Sequence, residues 1–218
     1  MATQAIRVML VDDHDVLREG VASLLVDEPD MTIVGEAATG RQAVAKVARL
    51  RPDIVIMDIG MPELNGIDAT LQIVRERPKS RVICLSVHQE KQMVHAMLRA
   101  GAKGYLLKTN ARKELVEAVR TVAWGQTYLS PPVASHVVAC ALQGHETNNS
   151  CPFEVLSERE REVLQLIAEG LRTELIGAQL HISPRTVLAH RENIMKKLHL
   201  DSVVALARYA IREGIAQL

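Results

Sequence analysis

Between residues 6 and 124 the chain alternates short β-branched runs with longer stretches of helical period. IRVMLV (6–11), MTIVGE (31–36), DIVIM (53–57), RVICLS (81–86) and GYLL (104–107) are the five expected strands. Apolar runs bounded by turn residues mark strands covered on both faces, as in a parallel sheet. Helices are expected over Val16–Val26, Arg41–Leu50, Gly66–Arg77, Glu90–Ala100 and Ala111–Ala123. In the second, Ala43, Val44, Val47 and Leu50 recur at three- and four-residue steps, the spacing of a face laid on a sheet. Five strands, each followed by a helix, predict a (βα)5 doubly wound α/β domain with a parallel sheet over residues 1–125.

After Trp124 the pattern changes. Gly125-Gln126 and Ser130-Pro131-Pro132 interrupt the helical period, Val133–Leu142 offers a short linker helix, and GHETNNSCP (144–152) reads as a mobile connector. The segment 126–152 is therefore read as a linker, and 153–218 as a small all-α domain of four helices. Ser157 followed by Glu160 is a capping box. Val163, Leu164, Ile167 and Ala168 make the apolar stripe behind it, and Gly170 stops that helix. A short helix, Thr173–Leu180, leads through the turn His181-Ile182 to Ser183-Pro184, an N-cap with proline at the first helical position. That launches Arg185–Leu198, and Asp201 or Ser202 caps a last helix ending near Glu213.

Chemistry collects at one edge of the expected sheet. The first strand runs into Asp12-Asp13, the third into Asp58, the fourth into Ser86 and the fifth into Lys108. Strand order 2-1-3-4-5 sets the first strand beside the third, so the three carboxylates converge at the edge where ligands bind in open α/β sheets. Carboxylates that close repel each other unless a cation joins them, and an all-oxygen set suits Mg²⁺. An ammonium opposite suits one oxygen of a phosphoryl group. The alternative for an isolated Asp-Asp pair is a solvated strand terminus.

Composition narrows the setting. With 48% hydrophobic and 24% charged residues the chain is an ordinary globular sequence. Lys plus Arg equals Asp plus Glu at 26 each, so net charge argues neither for nor against nucleic acid. The three cysteines, Cys84, Cys140 and Cys151, are odd in number and lack CxxC spacing, against a disulfide framework or zinc site. Charged residues arrive too early for a signal peptide, and no apolar run approaches the ~20 residues of a membrane span. A cytoplasmic protein without a membrane partner is the expectation.

VDDHD, MDIGMP, Ser86 in CLS and GYLLK, in that order, resemble the receiver domains of two-component response regulators, whose fold is flavodoxin-like. The resemblance implies that Asp58 accepts a phosphoryl group from a sensor histidine kinase. It further implies that Asp12, Asp13, Asp58 and the Gly60 carbonyl hold Mg²⁺, that Lys108 stabilises the transferring group, and that Ser86 and Tyr105 are switch residues drawn inward by the phosphate. Tyr105 also has the plainer reading of a half-buried strand aromatic. His88 stands where the family tunes hydrolysis of the acyl phosphate, and a surface histidine without a role is its alternative. LSEREREVLQLIAEGL followed by ISPRTVLAHRENIMKKL resembles the LuxR-type helix-turn-helix domain, which places the chain with NarL/FixJ-type regulators.

That second resemblance puts the helix from Arg185 in the major groove. Val187, Ile194 and Leu198 form its core face, leaving Arg185, Thr186, Leu188, His190, Arg191, Asn193, Lys196 and Lys197 as expected DNA contacts. Two positions depart from the family pattern: Glu174 replaces a lysine facing the DNA backbone, and Leu188 stands where lysine is common. Leu188 suits a thymine methyl, and Glu192 a cytosine amine. Residues 151–218 hold nine Lys/Arg and nine Asp/Glu, which predicts weaker, less salt-sensitive binding. The expected partners are the kinase, DNA, RNA polymerase and a second copy of the chain on phosphorylation or DNA binding. A receiver whose helical domain binds protein in place of DNA is the rival reading, and a Mg²⁺-dependent phosphotransferase a further one; the chain is read as a regulator and not an enzyme.

Overall fold

A computed structural model of the chain describes residues 5–87, 90–143 and 152–217. Its strands are β1 (Ile6–Val11), β2 (Met31–Ala37), β3 (Ile54–Met57), β4 (Arg81–Ser86), β5 (Gly104–Leu107) and β6 (Tyr128–Leu129), in one parallel sheet of order β2-β1-β3-β4-β5-β6. The five expected strands and their order are present, and a sixth is added from the segment read as linker. Tyr128 N donates to Lys103 O at 3.0 Å and Ser130 N to Tyr105 O at 2.9 Å, so the free edge of β5 is capped by the chain's own next segment. A two-residue strand carries too few residues to show a period of its own, which is why its pairing escapes the sequence.

Alternation along the strands sorts the core into two layers. Val8, Leu10, Ile54, Ile56, Ile83, Leu85 and Leu106 face α1 (Asp15–Val26) and α5 (Ala111–Ala123). Met9, Val11, Val55, Met57, Val82, Cys84 and Tyr105 face α2 (Gly40–Leu50), α3 (Gly66–Glu76) and α4 (Lys91–Arg99). Local signals place the ends: Thr39 caps α2 by accepting from Gln42 N, and Asn65 caps α3 by accepting from Ile67 N and Asp68 N. Gly66 is required by close approach, since a Cβ there would lie 1.8 Å from the Asp58 carbonyl oxygen. After β6 comes α6 (Pro131–Gln143); residues 144–151 of the expected connector lie outside the described residues.

The helical part consists of α7 (Pro152–Val155), α8 (Glu158–Ala168), α9 (Thr173–Leu180), α10 (Pro184–Leu198) and α11 (Val203–Arg212). The capping box at Ser157 and Glu160, the caps at Ser183 and Ser202, and the left-handed Gly170 are all in place. Val163, Leu164, Leu166, Ile176, Leu180, Val187, Ile194, Leu206 and Ala210 close the second core.

This second unit is docked on the first through the polar side of α8. Arg161 reaches Asp68 of α3, Nε to Oδ1 at 2.8 Å and Nη2 to Oδ1 at 2.5 Å, with the two side chains only 5% and 1% exposed. Gln165 accepts from Asn65 N at 2.8 Å and donates to Met61 O at 2.8 Å, and Glu169 accepts from Glu63 N at 3.0 Å. Three backbone groups of the segment between Asp58 and α3, those of Met61, Glu63 and Asn65, are thus satisfied by the helical unit.

Candidate functional site

The register β1–β3 pairs Val11 with Met57, which sets the following residues, Asp12 and Asp58, side by side. Asp58 N donates to Val11 O at 2.9 Å and locks that alignment. The register β4–β5 pairs Ser86 with Leu107, so Lys108 emerges on the same edge. Lys108 Nζ lies 2.7 Å from Asp12 Oδ2 and 2.9 Å from Asp58 Oδ2, and the remaining Asp58 oxygen, Oδ1, accepts from Ile59 N at 2.9 Å. The ammonium is thereby placed between two carboxylates that would otherwise repel.

Burial dominates the electrostatics. Asp58 is 4% exposed, and desolvation pushes its carboxyl up to about 6; Lys108 opposes that shift and the charge of Asp12 adds to it. The Lys108 ammonium is held above its usual value by Asp58 and Asp12 in spite of its own burial. Asp13 lies at the rim, and its buried Oδ1 has no hydrogen-bond partner. An orphaned carboxylate oxygen beside two further carboxylates is the donor set a hard divalent cation completes. Asp12, Asp13, His14 and Asp58 each bring a ligand atom, all within 4.8 Å of one another.

Ser86 and Tyr105 are both fully buried. Of the two readings of Tyr105, a switch residue drawn inward or a half-buried strand aromatic, the second understates its burial: the ring is fully inside, packed with Met57 and Cys84 in the layer beneath α3 and α4. Burial raises its phenol, against which a hydrogen bond with Ser86 acts. His88 lies outside the described residues. Gly60 carries the C-terminal segment on it: a Cβ at this position would meet Gln217 Nε2 at 1.4 Å.

A family model described as the response regulator receiver domain matches residues 8–120, and one described as bacterial regulatory proteins, luxR family, matches residues 154–210. The chain belongs to the response regulators. This regulator is 38% identical over 210 residues to the response regulator GacA of Pseudomonas viridiflava, covering 96% of this chain and 97% of that one. It is 39% identical over 210 residues to the transcriptional regulatory protein LiaR of Bacillus subtilis, covering 96% and 99%. Among solved structures it resembles the RcsB response regulator of Salmonella typhimurium, with a TM-score of 0.59 at 25% identity over 94% of this chain and 98% of that one. It is accordingly a regulator of transcription with a receiver and a LuxR-type DNA-binding domain.

On α10, Val187 and Ile194 are buried and Leu198 is partly so, as expected of its core face. Arg185, Thr186, Leu188, Asn193 and Lys196 are exposed, His190 and Arg191 half-buried. Docking of the receiver leaves this helix uncovered. Two of the expected contacts have other attachments: the Thr186 hydroxyl is 2.8 Å from the capping Ser183 Oγ, and Lys197 Nζ is 2.7 Å from Glu160 Oε2. Leu188, 39% exposed, and Arg191 line a groove of about 330 Å³ with Glu174 and Val203.

Sequence reading missed Asp68, Arg161, Gln165 and Gln217. A charged or amide residue on the polar side of an amphipathic helix is indistinguishable from a solvated one until its partner is known. His14 was visible only as a letter of the VDDHD run.

Proposed function

We propose that Asp58 is the nucleophile for a phosphoryl group delivered by a sensor histidine kinase. The observation that carries the reading is the buried Asp58 carboxylate with the Lys108 ammonium 2.9 Å away, shared with Asp12. A carboxylate oxygen forms the new O–P bond as the donor's P–N bond breaks, and Lys108 is in position to follow the charge on the transferred group. Asp12, Asp13, Asp58 and the Gly60 carbonyl would hold Mg²⁺, which when bound neutralises charge on the phosphoryl oxygens. Phosphorylation would add close to two negative charges at the edge where β4 ends in Ser86, whose hydroxyl is the switch element, followed by Tyr105.

The output is DNA. Arg185, Thr186, Leu188, His190 and Asn193 supply the reading face of α10, with Arg191, Lys196 and Lys197 toward the phosphates. Since α10 stays uncovered in the docked form, control lies in how the two units are oriented and paired with a second copy on the operator, with RNA polymerase as the downstream partner. Asp58 modification reaches α8 through the segment that ends at Asn65. The cytoplasm, where kinase domain and operator meet, is the site of action, and turnover of an external substrate has no place in this scheme.

The test is a gel shift with the full chain treated with a small phosphodonor and Mg²⁺. Wild type is expected to gain operator affinity, Asp58→Asn to gain none, and Leu188→Lys to steepen the log–log salt dependence by about one. Phosphodonor-dependent binding retained by Asp58→Asn would refute the proposal.

A further inference from the structure

The residue after the two acidic ones at the end of β1 is placed as their fellow ligand. His14 opens α1 as its N-cap residue, with φ −92° and ψ 106°, yet its side chain makes no capping bond. Its backbone N donates to Asp12 Oδ1 at 2.9 Å, which folds the turn so that the imidazole comes back over the carboxylates. Nδ1 then lies 2.9 Å from Asp13 Oδ1 and shares a hydrogen bond with Asp12 Oδ1 at 3.3 Å, a contact it would exchange for a cation. Asp13 Oδ1 is the oxygen that is buried without a hydrogen-bond partner, so the 2.9 Å approach is a juxtaposition and not a formed hydrogen bond.

Those separations match the edges of a coordination polyhedron. Adjacent ligands about 2.1 Å from an octahedral cation are about 3.0 Å apart, and about 3.4 Å apart around a tetrahedral one. The ring is 55% exposed at its side chain, so it can turn onto a cation without opening the core. Imidazole nitrogen changes the selectivity of an oxygen site: carboxylates alone suit Mg²⁺, whereas nitrogen adds strength toward Ni²⁺, Zn²⁺ and, more weakly, Mn²⁺.

We infer that His14 is a nitrogen ligand of the cation site formed by Asp12, Asp13 and Asp58, and that it gives this regulator a site for borderline transition cations as well as for Mg²⁺. The inference rests on the proposed use of those carboxylates for a divalent cation. Magnesium is served through oxygen; a borderline cation is served through oxygen and Nδ1 together. His14 is thus a specificity-determining residue for the metal and takes no part in the phosphoryl transfer itself.

The test uses tag-free full-length protein, calorimetric titration with Mg²⁺, Mn²⁺ and Ni²⁺, and pulsed EPR of the Mn²⁺-loaded form. Wild type is expected to show the modulation of a directly bonded ¹⁴N. His14→Ala is expected to lose that modulation and to bind Ni²⁺ at least tenfold more weakly, with Mg²⁺ affinity changed less than twofold. Asp13→Asn is expected to weaken all three cations, which ties the nitrogen signal to this site and not to another histidine. A wild-type Mn²⁺ spectrum without bonded ¹⁴N, or an unchanged Ni²⁺/Mg²⁺ affinity ratio in His14→Ala, overturns the inference and leaves the Mg²⁺ reading standing. Absence of Mg²⁺ binding in wild type, or full binding by Asp13→Asn, overturns both.

Discussion

Replacing Asp68 by asparagine tests the coupling between the two units with little change of shape. Asp68 and Arg161 are 1% and 5% exposed, so the pair is almost wholly out of water when docked. Removing one partner of a buried ion pair costs about 3–5 kcal/mol because the other charge is left uncompensated. Asparagine keeps one acceptor for the guanidinium, which sets the expectation near about 3 kcal/mol, or roughly a hundredfold in the docked-to-undocked ratio. Arg161 is the worse residue to change, because it also donates to Leu156 O at 2.6 Å and packs on Phe153 within its own unit. Hydrogen exchange reads the effect directly. The amides of Glu63 and Asn65 have acceptors that only docking supplies, Glu169 Oε1 and Gln165 Oε1, whereas the Asp58 amide is bonded to Val11 O inside the sheet. In Asp68→Asn the first two should lose about a hundredfold in protection while the third keeps its value. Unchanged protection at Glu63 and Asn65, or an equal loss at Asp58, would refute the coupling.

Gly60 is not among the positive-φ glycines, so its lack of a side chain serves the approach of Gln217 and not the backbone. Gly60→Ala should leave receiver stability within about 1 kcal/mol, displace the Gln217 side-chain amide resonance and lower protection at Glu63 and Asn65, which Gln217→Ala in the same chain should restore. In the helical unit, burial pushes the Glu160 carboxyl up, but hydrogen bonds from Lys197 and Ser157 outweigh it and hold the group below its ordinary value. Its contribution to stability is therefore complete above the ordinary carboxylate value of 4.5 and is lost as pH falls below it. Thermal melts of wild type and Glu160→Gln should converge as pH drops through that range; a constant difference would contradict the assignment.

The amino-acid pattern by itself determined whatever depends on neighbours in sequence. Apolar runs set the five longer strands, three- and four-residue periods set the helices, and Ser157 and Ser183 marked helix starts by the side-chain oxygens they offer to nearby amides, whereas the choice of Ser202 over Asp201 came from the fold. The acidic edge was legible because Asp12, Asp58 and Lys108 each end a strand, and parallel order then brings strand ends together. Tertiary structure decided the rest: that Tyr128–Leu129 extends the sheet, that Lys108 occupies the space between Asp12 and Asp58, that Tyr105 is already inside, and that Arg161 and Gln165 belong to an interface. The physical reason is common to all four. A polar side chain or a short strand edge has the same local sequence whether water or a distant segment satisfies it, and only the fold determines which of the two is there.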